Sequence, residues 1–259
     1  MREVDTLVGR LETKAEVDAV FLTGSFGASH ASTASDIDIV IILKENRVQI
    51  KSVYQIIDGA FADIFFFDLA DVRRILASEK IEGDSIDGIL VSWLMAAKVL
   101  FDKSGLTTKA VRHAHQVRFF IPEKERAGTI QKMSYNLLQN RRYYESGDDM
   151  YRAALGIRLL YSVTELITGF LTLHHEPWRG EKHAIAFMKN RSANFYRAFL
   201  AYQSATGLAE KIAAYEKMVG AIQHLHPLLD YRAPVCIPAR DSQTEAENQL
   251  KEFWERVSS

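Results

Sequence analysis

The sequence predicts an α+β protein, in which a mixed β-sheet with flanking helices is followed by an all-helical bundle. Short β-prone runs, bounded by glycine or polar residues, recur before residue 105. Beyond that position, segments with the length of several helical turns lack the β-branched density of the first part. We therefore expect two domains, residues 1–105 and residues 106–259.

The first expected strand covers residues 19–23 and ends at Gly24 and Ser25. The small residues that follow can begin a helix, and the free N–H groups at a helix start face an anion favourably. Gly24 and Ser25 therefore predict a phosphate-binding turn at the end of this strand.

The second expected strand covers residues 36–43 and begins with Asp36 and Asp38, which alternate with isoleucine. Side chains two positions apart on a strand share a face, so the two carboxylates point the same way. Two carboxylates on one face repel each other unless a cation lies between them. Because carboxylate oxygens are hard ligands, we expect Mg²⁺ or Mn²⁺ here rather than zinc.

A later β-prone run, residues 61–68, contains two further acids. Asp63 lies between apolar neighbours, where an unpaired charge is costly, so we expect it to join Asp36 and Asp38. Asp68 is five positions further along, which turns its side chain to the opposite face of a regular strand. At the strand end it can instead cap a helix that we expect from Ala70 to Leu76.

The second half of the chain predicts a bundle of long helices. The expected segments are residues 129–145, 151–173, 184–204 and 208–224. One narrow polar stripe runs along the second of these helices and is expected to face either solvent or the cleft toward the first domain. The stripe consists of Arg158, Ser162, Glu165, Gly169 and Thr172. A capping box at Ser242 predicts a last helix to about Val257, which could pack on the bundle or in a homodimer.

A turn rich in polar and aromatic residues, residues 174–183, separates two of these helices. Loops between rigid elements often contain binding residues, and basic side chains close to a phosphate site would have an obvious role. The alternative is a capping loop with a packed tryptophan, which the sequence supports equally. The candidates for acceptor or phosphate contact are Trp178, Arg179, Glu181, Lys182 and His183.

Composition excludes several classes of function. The chain has 259 residues and a formal net charge of −1, which argues against a protein that grips nucleic acid along its length. A single cysteine, Cys236, excludes a disulfide framework. The N-terminus has no signal-peptide core, and Arg158 and Glu165 interrupt the longest apolar region, so we expect a cytoplasmic protein without a membrane partner.

Taken together, the pattern resembles the DNA polymerase β-type nucleotidyltransferase superfamily. The resemblance rests on Gly24-Ser25, a gap of about ten residues, Asp36 and Asp38 with alternating isoleucines, and a later strand acid at Asp63. The resemblance covers roughly the first 105 residues. Within the superfamily, the chain is similar to small bacterial aminoglycoside- and lincosamide-type nucleotidyltransferases with a helical C-terminal domain. Many members continue the turn with a small residue, arginine and glycine, whereas this chain has Gly-Ala-Ser at residues 27–29.

The resemblance implies a metal-dependent transfer of a nucleoside monophosphate, with ATP as the expected donor, to the hydroxyl of a small molecule. Pyrophosphate would be released, and the helical domain would bind the acceptor. Asp36, Asp38 and Asp63 would be the catalytic and metal-binding residues, with Mg²⁺ or Mn²⁺ as cofactor. Gly24, Ser25 and Ser35 would bind the nucleotide. Two alternatives stay open: an enzyme that AMPylates a protein, and a nucleotide-binding regulator without turnover.

Overall fold

The computed structural model describes residues 2–24, 35–236, 249, 252 and 254–257. The strands are β1 (Val17–Leu22), β2 (Ile37–Leu43), β3 (Ser52–Ile57), β4 (Ala60–Asp68), β5 (Lys80–Glu82), β6 (Lys98–Asp102) and β7 (Arg118–Phe120). The helices are α1 (Arg2–Glu12), α2 (Leu69–Leu76), α3 (Ile86–Met95), α4 (Leu106–Ala114), α5 (Glu123–Glu145), α6 (Asp149–Leu173), α7 (Glu181–Arg191), α8 (Ala193–Ser204) and α9 (Leu208–Gln223).

Five strands form a mixed sheet in the order β3-β4-β2-β1-β6. The two central strands, β2 and β4, run parallel to each other, whereas β3, β1 and β6 are each antiparallel to their neighbours. β5 and β7 form a separate two-stranded parallel sheet. The mixed sheet and the helical region that follows it confirm the predicted α+β class.

Helices cover both faces of the large sheet, and the alternation along β2 shows how. Ile39 and Ile41 belong to a core with Val4 of α1 on one face. Val40 and Ile42 point to the other face, where they share a core with residues of α2, α3 and α4. The period of two along a strand thus gives β2 two apolar faces, as a central strand requires.

The chain forms two compact units. The first consists of Met1–Pro122 together with His175–His183, and the second of Glu123–His174 together with Ala184–Ser259. The first unit extends past residue 105, the boundary expected from the sequence, because Ala110 and Ala114 of α4 are buried in the core beneath the sheet. Residue 105 marks the point where the composition becomes helical, whereas the first unit continues to Pro122.

The second unit is built on a core of large apolar side chains from α5 to α9. Phe170 and Phe195 stack with their ring centroids 4.4 Å apart, and the fully buried Tyr215 lies in the same core. The single helix expected over residues 184–204 is two helices, α7 and α8. Ser192 separates them, since its side chain accepts a hydrogen bond from the Phe195 N–H and caps the start of α8.

The polar stripe of α6 faces α5, so the expectation of solvent or an interdomain cleft is wrong. Arg158 donates to the side-chain oxygens of Asn136 and Asn140 at 2.9 Å each. Asn136 in turn donates to Glu165, and Asn140 donates to Ser162. The two asparagines lie four positions apart on α5, which places them on one face of that helix toward the stripe.

By length and mean hydropathy alone, α6 is the one helix within the described parts of the chain that could cross a membrane. It has 25 residues, and the mean hydropathy of its most apolar window is 1.4. Leu155, Leu159 and Phe170 of this helix are buried in the core of the second unit. Together with the hydrogen-bonded stripe, this is the environment of a core helix.

Candidate active site

The three acids singled out in the sequence meet on one face of the sheet. Asp38 of β2 lies directly opposite Asp63 of β4 in the parallel pairing, and neighbouring strands are about 4.8 Å apart. Asp36 precedes β2 and is exposed, two positions from Asp38 and on the same side. The strand register therefore places Asp38 and Asp63 side by side at the start of β2, and the charge of Asp36 acts on both.

Asp68 has a different environment at the other end of β4. Its Oδ1 accepts hydrogen bonds from the N–H groups of Ala70 at 2.8 Å and Asp71 at 3.2 Å. The Asp71 side chain accepts from the Asp68 N–H at 3.0 Å, which completes a capping box. The predicted capping role of Asp68 is confirmed, with the helix beginning at Leu69.

The carboxylates at the candidate site repel one another. Burial, and after it the negative charges of Asp63 and Asp36, raise the pKa of Asp38 to about 6, although the positive charge of Lys182 acts in the opposite direction. Burial and the charge of Asp36 also raise the pKa of Asp63. The Oδ1 atom of Asp63 is buried and has no hydrogen-bond partner among the described residues. This concentration of unsatisfied negative charge favours a bound cation.

The donor set fits Mg²⁺ or Mn²⁺ in its chemistry. All three candidate ligands, Asp36, Asp38 and Asp63, offer carboxylate oxygens, and Oδ1 of Asp63 accepts no hydrogen bond from the described residues. In the described ranges, no group of three or more His, Cys, Asp or Glu side chains is already arranged to hold a metal ion. The charges and ligand type thus match a divalent cation, without a ready-made set of three ligands.

Gly24, at the end of β1, makes room for one of these carboxylates. Its φ of +59° lies in the left-handed region, and a Cβ atom there would collide with Oδ2 of Asp38. The preceding residue ties β1 to its surroundings: the Thr23 N–H donates to the Asp38 carbonyl oxygen, and its hydroxyl donates to the Trp93 carbonyl oxygen, both at 3.0 Å. Ser25 and residues 27–29 lie outside the described residues, and Ser35 is buried.

An aromatic cluster lies further along the same sheet face, next to the carboxylates. Phe65 and Phe67 follow Asp63 at a period of two, and Trp93 of α3 packs against both, with ring centroids 4.4 Å and 6.0 Å away. This cluster was not predicted from the sequence, although the alternation of β4 beyond Asp63 was a usable signal. Trp93 therefore covers the part of this sheet face that contains Phe65 and Phe67, and the carboxylates lie beside the covered part.

Residues 4–90 match the family model of the nucleotidyltransferase domain. This segment is therefore similar to nucleotidyltransferase domains. It contains Gly24 and all three acids of the candidate site. A solved nucleotidyltransferase-like protein from Exiguobacterium sibiricum 255-15 is similar over 86% of this chain and 73% of its own, with 11% identity and a TM-score of 0.40. No curated protein sequence matches the chain.

A segment distant in sequence, residues 175–183, belongs to the same compact unit as the sheet and its carboxylates. The Trp178 N–H donates to Oδ1 of Asp84 at 3.1 Å. Pro177 packs so closely on Gly83 that a Cβ atom there would lie 2.6 Å from the proline Cβ. These contacts fix the segment on the loop between β5 and α3.

Glu176 organises the charged residues of this segment. Its Oε1 lies 3.4 Å from Nη2 of Arg179 and 3.1 Å from Nε2 of His183. Burial raises the pKa of Glu176, but the hydrogen bond from His183 and the charge of Arg179 outweigh it, so the pKa lies below its usual value. Glu176 was not predicted from the sequence, although its spacing of three from Arg179 is a common ion-pair spacing.

The five candidates from the 174–183 turn therefore have different environments. Arg179 and His183 face Glu176, and Arg179 also lies over the Phe119 ring, 5.0 Å from its centroid. Lys182 is exposed and acts electrostatically on Asp38. Trp178 and Glu181 are exposed as well. Of the five, Lys182 has the clearest link to the carboxylates, through its effect on Asp38.

Proposed function

We propose that the protein transfers a nucleoside monophosphate, AMP from ATP, to a hydroxyl group of a small molecule and releases pyrophosphate. The observation that supports this best is the meeting of Asp36, Asp38 and Asp63 on one sheet face of a segment similar to nucleotidyltransferase domains. The raised pKa values of Asp38 and Asp63, and the Asp63 oxygen without a hydrogen-bond partner among the described residues, are the expected signs of a site that binds a cation and its phosphate ligands.

Each acid has a proposed task. Asp36 and Asp38 would hold the divalent cation with Asp63. When bound, the Mg²⁺ or Mn²⁺ ion supplies positive charge that offsets the charge of the phosphate oxygens. Asp63, whose pKa is raised, is suited to accept the proton of the acceptor hydroxyl. The acceptor oxygen then bonds to the α-phosphorus as the bond from that phosphorus to the bridging oxygen breaks, and pyrophosphate leaves.

Lys182 and Gly24 are proposed to bind the triphosphate. The charge of Lys182 already acts on Asp38, so a phosphate group at the carboxylates would meet the same positive charge. Gly24 lies against the Asp38 carboxylate and has no side chain to exclude a ligand from the turn. Ser25 and Ser35 would complete the nucleotide site as the sequence analysis expects.

A small acceptor agrees with the charge of the chain. The formal net charge is −1, whereas proteins that hold nucleic acid along its length need a basic surface. The Trp178 side chain, which is exposed beside the segment that contains Lys182, would contribute to the acceptor site.

A nucleotide-binding regulator without turnover is the second candidate. The observation in its favour is that no group of three or more potential metal ligands is already assembled in the described part of the chain. Such a protein would bind nucleotide through Lys182 and the β1 turn but would form no product.

Incubation with ATP, Mg²⁺ and a panel of small hydroxyl compounds tests both candidates. We expect pyrophosphate release that depends on one class of compound, and an acceptor whose mass has increased by one AMP group. Asp38→Asn and an excess of chelator should each abolish both signals. Nucleotide binding without pyrophosphate or adduct would favour the regulator, and an increase in the mass of a protein instead of a small molecule would favour AMPylation.

A further inference from the structure

The carboxylates continue into an apolar patch across the sheet toward its edge. In the antiparallel pairing of β3 and β4, Tyr54 lies directly opposite Asp63, and Ile56 lies opposite Phe61. Directly paired residues share a face, so Asp38, Asp63 and Tyr54 form one row across three strands. Phe61, two positions before Asp63, lies on that face too.

These apolar side chains are exposed although they adjoin the candidate site. Tyr54 is 59% exposed, Ile56 65% and Phe61 46%. The Tyr54 and Phe61 rings are nearly parallel, with an interplanar angle of 7° and centroids 6.1 Å apart. Further along the same face, Phe65 is covered by Trp93, so the fold buries one aromatic part of this face and leaves the other open. Adjoining exposed apolar side chains of this size commonly mark a binding surface.

The strand order places this patch on one side of the carboxylates and Gly24 on the other. In the order β3-β4-β2-β1, Tyr54 and Phe61 lie beside Asp63, whereas Gly24 ends β1 and lies against Asp38. If the triphosphate binds on the Gly24 side, the attacking hydroxyl must approach from the Asp63 side. The group attached to that hydroxyl then meets Tyr54 and Phe61.

We propose that Tyr54, Phe61 and Ile56 form an acceptor subsite that stacks against a planar aromatic ring, with the reacting hydroxyl directed at Asp63. The acceptor class is therefore a small aromatic compound with a hydroxyl group. The inference rests on the proposed transfer reaction, because that reaction assigns the acceptor to the Asp63 side. Flat rings stack on exposed aromatic side chains with enough energy to change affinity several-fold.

Saturation-transfer NMR tests ring binding without requiring turnover. The probes are benzyl alcohol and its non-planar counterpart cyclohexylmethanol, each with the full-length protein and Mg²⁺-ATP. We expect strong saturation of the benzyl ring protons and weak saturation of cyclohexylmethanol. Tyr54→Ala and Phe61→Ala should each reduce the ring signal about threefold or more, whereas Tyr54→Phe should retain it. Phe120→Ala, at an exposed aromatic residue of the small sheet, is the matched control and should have no effect.

Turnover provides the second measurement. For an aromatic acceptor that stimulates pyrophosphate release, Tyr54→Ala should raise the acceptor KM about five- to tenfold, with the KM for Mg²⁺-ATP unchanged. A rise in the nucleotide KM alone would assign the rings to the nucleobase and overturn the proposal. So would an unchanged ring signal in Tyr54→Ala, or a conversion of dimer to monomer as its only effect, measured by sedimentation.

The two measurements separate this inference from the proposed function. A wild-type protein that releases pyrophosphate with hydroxyl compounds, but whose ring signal does not depend on Tyr54, would reject the subsite alone. A Tyr54-dependent ring signal without pyrophosphate release or adduct from any compound would reject the transfer reaction, and with it the acceptor role of the rings. Thermal unfolding of each variant checks that the edge strand is still folded.

Discussion

At the scale of single residues, the candidate site is a place where the fold accepts unfavourable charge. Asp38 is partly buried beside Asp63 and Asp36, and its pKa of about 6 records the cost of keeping it ionised. Gly24 in turn allows the Asp38 carboxylate to lie against the backbone of the β1 turn. A cation and a phosphate chain would relieve this cost, so binding and stability are coupled at the same atoms.

The first prediction concerns the pH dependence of stability. The pKa of Asp38 is raised from 3.8 to about 6 on folding, so the native state binds more protons than the unfolded state between these values. The stability of the metal-free protein should therefore fall as pH rises through this window. In chelator at pH 7.5, Asp38→Asn should stabilise the protein by about 1 kcal/mol, after allowance for solvent screening, and should abolish transfer.

Thermal unfolding at several pH values in EDTA measures the effect. Asp63 also has a raised pKa, so part of the slope should persist in Asp38→Asn. A variant that is less stable than wild type at neutral pH, or one that transfers nucleotide at the wild-type rate, would contradict the two-carboxylate site.

The second prediction separates the two acids of β4. Asp63→Asn should lower the turnover rate by about a hundredfold or more, the scale of a lost general base or metal ligand, with less effect on nucleotide binding. Asp68→Asn should cost about 1 kcal/mol of stability, because Asp68 caps α2, with little effect on turnover. Single-turnover assays and denaturant unfolding of both variants provide the comparison, and an exchange of the two phenotypes would refute the assignment.

Some of these residues could be predicted from sequence and others could not. Asp36 and Asp38 follow from the period of two along a strand, which needs no tertiary information. Asp63 follows from the cost of an unpaired acid between apolar neighbours, and its place opposite Asp38 depends on the pairing of two strands. Glu176 was missed, because its importance depends on how the surrounding segment packs. The stripe on α6 was recognised but assigned to the wrong surroundings, since its partners Asn136 and Asn140 have no unusual pattern in their own helix.

At the scale of elements, the 175–183 segment connects a distant part of the chain to the carboxylates. Asp84 holds the segment through the Trp178 N–H, and Glu176 holds it through the side chains of Arg179 and His183. Lys182 directly precedes His183, one of the groups that Glu176 binds. The contact between His183 and Glu176 therefore fixes the backbone beside Lys182, and that backbone positions the flexible lysine side chain.

The third prediction tests the role of that lysine. Because the charge of Lys182 lowers the pKa of Asp38, Lys182→Met should raise that pKa in the metal-free protein. The same variant should raise the KM for Mg²⁺-ATP about tenfold, the scale of one charged hydrogen bond to phosphate. Lys182→Arg should restore most of both properties. Carboxyl NMR titration and initial-rate kinetics measure them, and unchanged values in Lys182→Met would remove Lys182 from the nucleotide site.

At the scale of the whole molecule, the composition of the sequence predicted the α+β class more accurately than it predicted the boundary between the two units. The change from β-prone to helical composition near residue 105 gave the order of sheet and bundle correctly. It could not show that α4 packs under the sheet or that residues 175–183 return to the first unit. Both depend on contacts between residues far apart in the chain, which a local pattern does not contain.

The fourth prediction concerns ligand binding by the intact chain. Mg²⁺-ATP at a hundred times its dissociation constant should stabilise the native protein by about 2.7 kcal/mol. ATP with excess chelator should stabilise it much less, because the carboxylates would then face the phosphates without a cation between them. Thermal shifts in matched buffers measure the difference, with Asp38→Asn as the control, and equal shifts with and without Mg²⁺ would count against a metal-bridged nucleotide.

The interrupted course of the chain through its first unit has a consequence for how the protein can be divided or recombined. A gene fragment that ends at residue 122 encodes the sheet and its helices but omits Lys182, Glu176 and the rest of the 175–183 segment. Exchange of the helical half between relatives would exchange that segment too. Independent shuffling of the two halves is therefore constrained, and a functional chimera would have to inherit residues 175–183 from the same parent as its carboxylates.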